Sequence, residues 1–217
     1  MKTPYAAFDL VAIATSAGGI RACGQLLSQL PADFPAAVLI VMHRSTLSSD
    51  LTPEILARRS NMPVQPVVDG ERLQPSTVYV APAHGQTTLD EQARLRVTRP
   101  DFGPPASMRC RADGLFESVA RVAGSRAIGV VLTGRLSDGA LGCQAIKQRG
   151  GRVLIQDPTT ALASDMPLAA MATGYVDFVL PLPMIGAALV ALVMAPGGAE
   201  LFRVAPPPWC VLDELPR

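Results

Sequence analysis

The chain is poor in the side chains that hold metals. Among its 217 residues are two histidines and four cysteines. Cys23, Cys110, Cys143 and Cys210 are scattered, with no C-x-x-C pair. That spacing argues against a zinc site or a dithiol redox motif and reads as reduced thiols, with neither metal nor cofactor expected. Charge is also scarce. Acidic and basic residues make up 17% of the chain, with a formal net charge of +1. Such a balance gives no reason to expect nucleic acid as a partner. The opening MKTPYAAFDL lacks the long apolar segment of a secretory signal. The best membrane candidate, residues 176–196, contains Asp177, Pro181 and Pro183, so its uninterrupted apolar part is too short for a bilayer. A cytoplasmic protein without membrane insertion is expected. No internal repeat or low-complexity segment is present.

Apolar residues are abundant, at 49%. This composition can bury a large core and excludes disorder. The length suits one domain, read as residues 1–195, followed by a Pro-rich tail, 196–217, that holds the lone Trp209. Short apolar runs at residues 10–14, 37–42 and 127–132, with a further strand at 153–156, alternate with segments of helical periodicity. The fold class implied is α/β: a doubly wound, mainly parallel sheet with helices on both faces. Residues 77–81 and 89–98 read as strands of a small antiparallel hairpin excursion. Residues 185–194 form a helix without a charge, which must be deeply buried or part of an interface.

The stretch FDLVAIATSAGGI organises the rest. An apolar strand stops at Thr15-Ser16-Ala17-Gly18-Gly19, and helical spacing follows. Ser16 then sits at the carboxyl end of a strand and the amino end of a helix. Its hydroxyl faces solvent beside backbone N–H groups that attract developing negative charge. This is a nucleophile elbow with Ala14 in place of the usual first Gly. The same turn also suits phosphate binding or a merely tight connection. Two further reactive residues follow apolar strands at the same sheet edge: His43 after residues 37–42, and Asp138 after residues 127–132. In such sheets ligands gather outside the carboxyl ends of strands. A hydroxyl, an imidazole and a carboxylate are the parts of a serine hydrolase. Each has a plainer reading as well. His43 suits a loop, and Asp138 before Gly139 suits a cap on the following helix. His84, in APAHG, is a rival base.

ATSAGG, VMH, DGERLQPSTVYVAPA, RADGLF, GVVLTGRLSDGA and QDPTTALASDMPLAAMATGYVDFVLPL, in this order, resemble the catalytic domain of the bacterial chemotaxis protein-glutamate methylesterases. The resemblance runs from about residue 10 to residue 192. It implies a serine hydrolase that demethylates glutamate methyl esters on the cytoplasmic helices of methyl-accepting chemoreceptors; many members also deamidate receptor glutamines. Carried over by motif, Ser16 is the nucleophile, His43 the base and Asp138 the orienting carboxylate. The oxyanion-binding backbone groups fall at Ala17 and Arg135. No cofactor or metal is implied. Two other readings stand beside this one: an impaired binding module of the same fold in a chemosensory array, and a generic small-molecule esterase.

The chain departs from the family pattern in four places. Ala14 stands where Gly is usual, and Ala17 where Thr or a similar residue is. Arg135-Leu136 replaces Met-Gly. Arg109-Cys110-Arg111 replaces Arg-Pro-Ser. A Gly that needs positive φ is not freely replaced by Leu, so a differently shaped Asp138 loop is expected. Family members commonly carry an N-terminal phospho-receiver domain. Here the first core strand starts within about ten residues of Met1. An open site, insensitive to phosphodonors and controlled by a separate regulatory protein or by the receptor, is therefore expected.

Overall fold

The computed structural model describes residues 9–44, 50–98 and 111–195. Nine strands and six α-helices are formed by them. The strands are β1 (Leu10–Thr15), β2 (Ala37–Met42), β3 (Val64–Pro66), β4 (Val78–Val80), β5 (Gln86–Leu89), β6 (Leu95–Thr98), β7 (Ala127–Val131), β8 (Arg152–Gln156) and β9 (Phe178–Leu180). The helices are α1 (Gly19–Leu27), α2 (Thr52–Ala57), α3 (Arg111–Ala123), α4 (Ala140–Gln148), α5 (Asp165–Ala172) and α6 (Leu182–Met194).

Seven strands form one parallel sheet in the order β3-β4-β2-β1-β7-β8-β9. The chain runs outward from β1 through β2 and returns to the other side of β1 at β7, so the winding reverses between β1 and β7. Burial explains why the central strands are mainly apolar: every residue of β1, β2, β7 and β8 is buried, and only Thr15, Arg152 and Gln156, at strand ends, are polar. A sheet covered on both faces requires that. Alternate residues serve two cores. Val11, Ile13, Val38 and Ile40 pack with α1 and α6 residues such as Leu26, Leu27, Ile185 and Leu189. Ala12, Ala14, Leu39 and Val41 pack with Leu115, Phe116, Val119 and Ile146 of α3 and α4. The charge-free helix α6 buries Ile185, Leu189, Leu192 and Val193 in the first core and leaves Met184 exposed.

Two expectations need correction. Residues 78–80 do not belong to the antiparallel excursion. They enter the main sheet between β2 and β3, with Val38 and Val64 both in register with Val78. Nor are residues 89–98 a single strand: the excursion is β5 with β6 alone, joined by a turn, with Gln86 opposite Thr98 and Leu89 opposite Leu95. Its apolar residues Leu89 and Leu95 are buried against the α3 side of the core. Trp209, Cys110, Cys210 and the tail at 196–217 lie outside the described residues. No described helix is long and apolar enough to cross a membrane.

Candidate functional site

The register of the sheet levels the site. Thr15 pairs with Met42, and Ala14 with both Val41 and Val131. Ser16 and His43, each one residue beyond a paired position, therefore stand side by side at the carboxyl edge. Backbone bonds extend the pairing past the strands: His43 N–H donates to Thr15 O at 3.1 Å, and Ser16 N–H to Thr133 O at 3.0 Å. Gly18 turns the chain with φ of +82° so that α1 can start at Gly19. A side chain at Gly18 would also press on Leu162 and Thr133, so both space and conformation demand glycine.

Thr133 ties the strand ends together. Its carbonyl accepts from Thr15 Oγ1 at 2.7 Å, and its hydroxyl meets Ala17 O and Ala163 N–H at 2.9 Å. Its own N–H donates to Gln156 Oε1 at 3.0 Å, and the Gln156 amide donates on to Thr160 O at 3.1 Å. Gly134 lies against Ser16: a Cβ there would be 3.0 Å from Ser16 Cβ and 2.1 Å from Met166 Sδ. Sequence reasoning passed over Thr133, Gly134 and Gln156. Their partners come from distant segments, and a threonine, a glycine and a glutamine at strand ends carry no local signal of that role.

His43 Nε2 stands 2.8 Å from Asp138 Oδ2, with the aspartate side chain 1% exposed. The pair is close in distance, although Nε2 does not reach hydrogen-bond alignment. Apo catalytic contacts are often loosely aligned in this way. Asp138 Oδ2 accepts the Ala112 N–H at 2.8 Å, and Oδ1 accepts the Asp113 N–H at 3.0 Å. The carboxylate therefore caps α3. It does not cap the following helix α4, whose N-cap is Gly139 with no side-chain bond of its own. Asp113 takes that role, accepting the Gly139 and Gly142 N–H groups at 3.0 and 2.7 Å. Burial raises the Asp113 carboxyl above the ordinary value, and the charge of Asp138 raises it further, against the pull of its backbone donors. Arg111 is 5% exposed and donates to Ala83 O. Burial and then the nearby Arg44 cation lower its pKa, while Asp138 opposes both.

Among the described residues the N–H groups of Ala17 and Arg135 donate to no protein acceptor. The Arg135 side chain is exposed. Leu136 keeps the left-handed conformation that a glycine would favour, with φ of +70° and 59% exposure. Leucine thus adopts a strained φ in the loop before Asp138. Ser16 and His43 line one cleft of about 510 Å³ with Gly18, Gly19, Ile20, Arg21, Met42, Arg44, Ile55 and Arg59. His84 is exposed and does not line that cleft. Cys23 and Cys143 are free and buried, and burial pushes the Cys23 thiol up to about 12 and that of Cys143 higher still. Among the described residues no His, Cys, Asp and Glu cluster could hold a metal ion.

Fold and site define a doubly wound α/β protein with a hydroxyl, an imidazole and a carboxylate collected at one sheet edge. Comparison with known proteins makes this more specific. The sequence profile of CheB methylesterase matches residues 11–189, and the chain belongs to that family. It is 39% identical over 186 residues to a protein-glutamate methylesterase/protein-glutamine glutaminase of Carboxydothermus hydrogenoformans, covering 84% of this chain and 55% of the relative. It is 37% identical over 194 residues to the protein-glutamate methylesterase FrzG of Myxococcus xanthus, covering 88% and 56%. The chain thus spans about half the length of these relatives. The crystal structure of the Thermotoga maritima CheB methylesterase catalytic domain superposes with a TM-score of 0.79 at 29% identity, covering 86% of this chain and 99% of that one.

Proposed function

We propose that this protein is a serine hydrolase that removes methyl groups from glutamate esters on the cytoplasmic helices of chemoreceptors, acting in the cytoplasm. The observation that carries the reading is the His43–Asp138 pair at 2.8 Å, whose imidazole lines the same cleft as a serine at a strand-to-helix turn. The relatives named above support the choice of ester.

Ser16 Oγ attacks the ester carbonyl while His43 takes its proton. Asp138 faces Nε2, which leaves Nδ1 as the base, and the carboxylate stabilises the imidazolium that forms. Negative charge develops on the carbonyl oxygen and is met by the N–H groups of Ala17 and Arg135, whose donors are otherwise unspent. Collapse breaks the bond to the methoxy oxygen. His43 protonates the departing group, which leaves as methanol, and a glutamyl ester remains on Ser16. Water then adds to that ester, giving its proton to His43. The imidazolium returns the proton to Ser16 Oγ, and the product leaves as a glutamic acid side chain that gives its proton to solvent. A glutamine side chain in place of the ester would release ammonia by the same steps.

The test is methanol release from methyl-labelled cytosolic receptor fragments, with Ser16→Ala as control. Release by the wild type and none by the variant is expected. Release that persists in Ser16→Ala would remove Ser16 from the chemistry. Hydrolysis of simple aryl esters without any methanol from receptor would point to a generic esterase.

A further inference from the structure

We propose that Arg21 and Arg59 form a two-pronged reader of carboxylates spaced one turn apart on the helix that presents the ester. This rests on the methylesterase reading above and names what the enzyme recognises beside the reacting group. The cleft next to Ser16 has an apolar part, made by Ile20, Met42 and Ile55, and three cations, Arg21, Arg44 and Arg59. No carboxylate lines it among the described residues. Arg44 is already committed: it pairs with Asp50 and donates to Met42 O and Ala81 O. Arg21 and Arg59 are exposed, and among the described residues neither side chain has an ion pair or a hydrogen bond.

Their placement is costly for the fold alone. Arg21 lies in the first turn of α1, where the helix dipole favours acidic residues and disfavours cations, and no acid accompanies it. Arg59 follows α2 but lays its stem over α1: a Cβ on Gly24 would come 2.8 Å from Arg59 Cδ. Gly24 is three residues beyond Arg21, hence on the same face of α1 and about 4.5 Å further along its axis. Two unpaired guanidinium groups thus start about one turn apart beside the nucleophile, next to Ile20 and Ile55, which are 40% and 38% exposed. An amphipathic helix with acidic residues three or four apart and apolar neighbours fits that arrangement. The ester itself is neutral, so the carboxylates read are those flanking it. Arginine engages such groups in forked geometry.

The experiment uses Ser16→Ala protein, which binds without turnover, and two labelled helical peptides identical except for Glu or Gln at two positions four apart. Fluorescence anisotropy reads the affinities. At low salt the acidic peptide is expected to bind about tenfold more tightly, from two partly exposed ion pairs. The preference should shrink as salt rises. It should vanish in R21Q/R59Q, fall by part in each single variant, and survive in R21K/R59K. Equal binding of the two peptides, or a preference that survives in R21Q/R59Q, overturns the proposal. Melting curves establish that the variants are folded. The esterase reading fails separately, through absent methanol release from receptor, whatever the peptides do.

Discussion

Asp138 and Asp113 cap each other's helices. Asp138, which precedes α4, accepts the N–H groups at the start of α3, and Asp113, on α3, accepts those at the start of α4. The carboxylate facing His43 is thereby fixed by a reciprocal lock between two helices that also pack along their length. Neither aspartate can move without unsatisfying the first turn of the other's helix.

Asp113 should therefore matter to stability in a pH-dependent way. Its carboxyl is raised in the folded state, first by burial and then by Asp138. The folded protein holds that proton more tightly than the unfolded chain. The contribution is then greatest below the ordinary carboxylate value and is lost as pH rises through the raised one. Asp113→Asn keeps an oxygen that can accept both bonds and cannot ionise, so it should flatten this part of the slope. Thermal melts of both proteins from about pH 4 to 7 check it; parallel curves would refute the assignment. Asp113→Ala should cost about 1–2 kcal/mol through the lost cap.

The site residues themselves give a graded expectation. Ser16→Ala and His43→Ala should each remove ester hydrolysis, by roughly a millionfold where background permits, and Asp138→Asn should cost less. His84→Ala should be mild, because His84 is exposed and away from the cleft. Activity lost with His84 but kept without His43 would reverse the choice of base.

Leu136 offers a gain. A leucine at φ of +70° with 59% exposure carries left-handed strain and recovers little by burial. The strain is roughly 1–2 kcal/mol, and the added freedom of glycine in the unfolded chain offsets about 0.4–1 kcal/mol of it. Leu136→Gly should thus stabilise by about 0.5–1 kcal/mol and raise Tm by roughly 1–4 °C. An unchanged or lower Tm would mean that the exposed side chain makes up for the strain.

Gly134 is the opposite case. A methyl group there meets Met166 Sδ at 2.1 Å and Ser16 at 3.0 Å. Met166 is 1% exposed, so it has little room to retreat. Gly134→Ala should lower kcat more than KM, by displacing Ser16, and should also lower Tm. An active, equally stable variant would show that the Ser16 turn is not held from this side.

What could be read from the sequence was what is encoded locally. Residues 10–14 are apolar, the turn at Ser16 to Gly19 breaks them, and Ile20, Cys23, Leu26 and Leu27 recur at helical spacing; strand, turn and helix followed. His43 and Asp138 were likewise reachable, since His43 directly follows an apolar run and Asp138 lies in the loop that follows another. Pairing was less legible. Val78–Val80 is three residues long, and its partners Val38 and Val64 are remote, so nothing nearby distinguishes a parallel central strand from a hairpin arm. Asp113 reads as one more polar residue on the solvated side of a helix, and only the fold reveals which N–H groups it meets. The conformation of Leu136 was hidden for a related reason: backbone torsion at a leucine is set by what the loop must join, and side-chain type alone argues against it.

The hydrogen bond from Thr15 to Thr133 joins residues 118 apart in the chain. Ser16 and His43 are made before the carboxylate opposite them, which arrives with β7 and its loop. Contacts of such separation form late, because the long loop they close must first lose its freedom. A nascent or truncated chain that lacks the β7 segment would hold a serine and an imidazole with nothing to orient them. For the hydrolysis proposed above, competence would then be a property of the completed sheet, and a chain that stops before β7 would lack it.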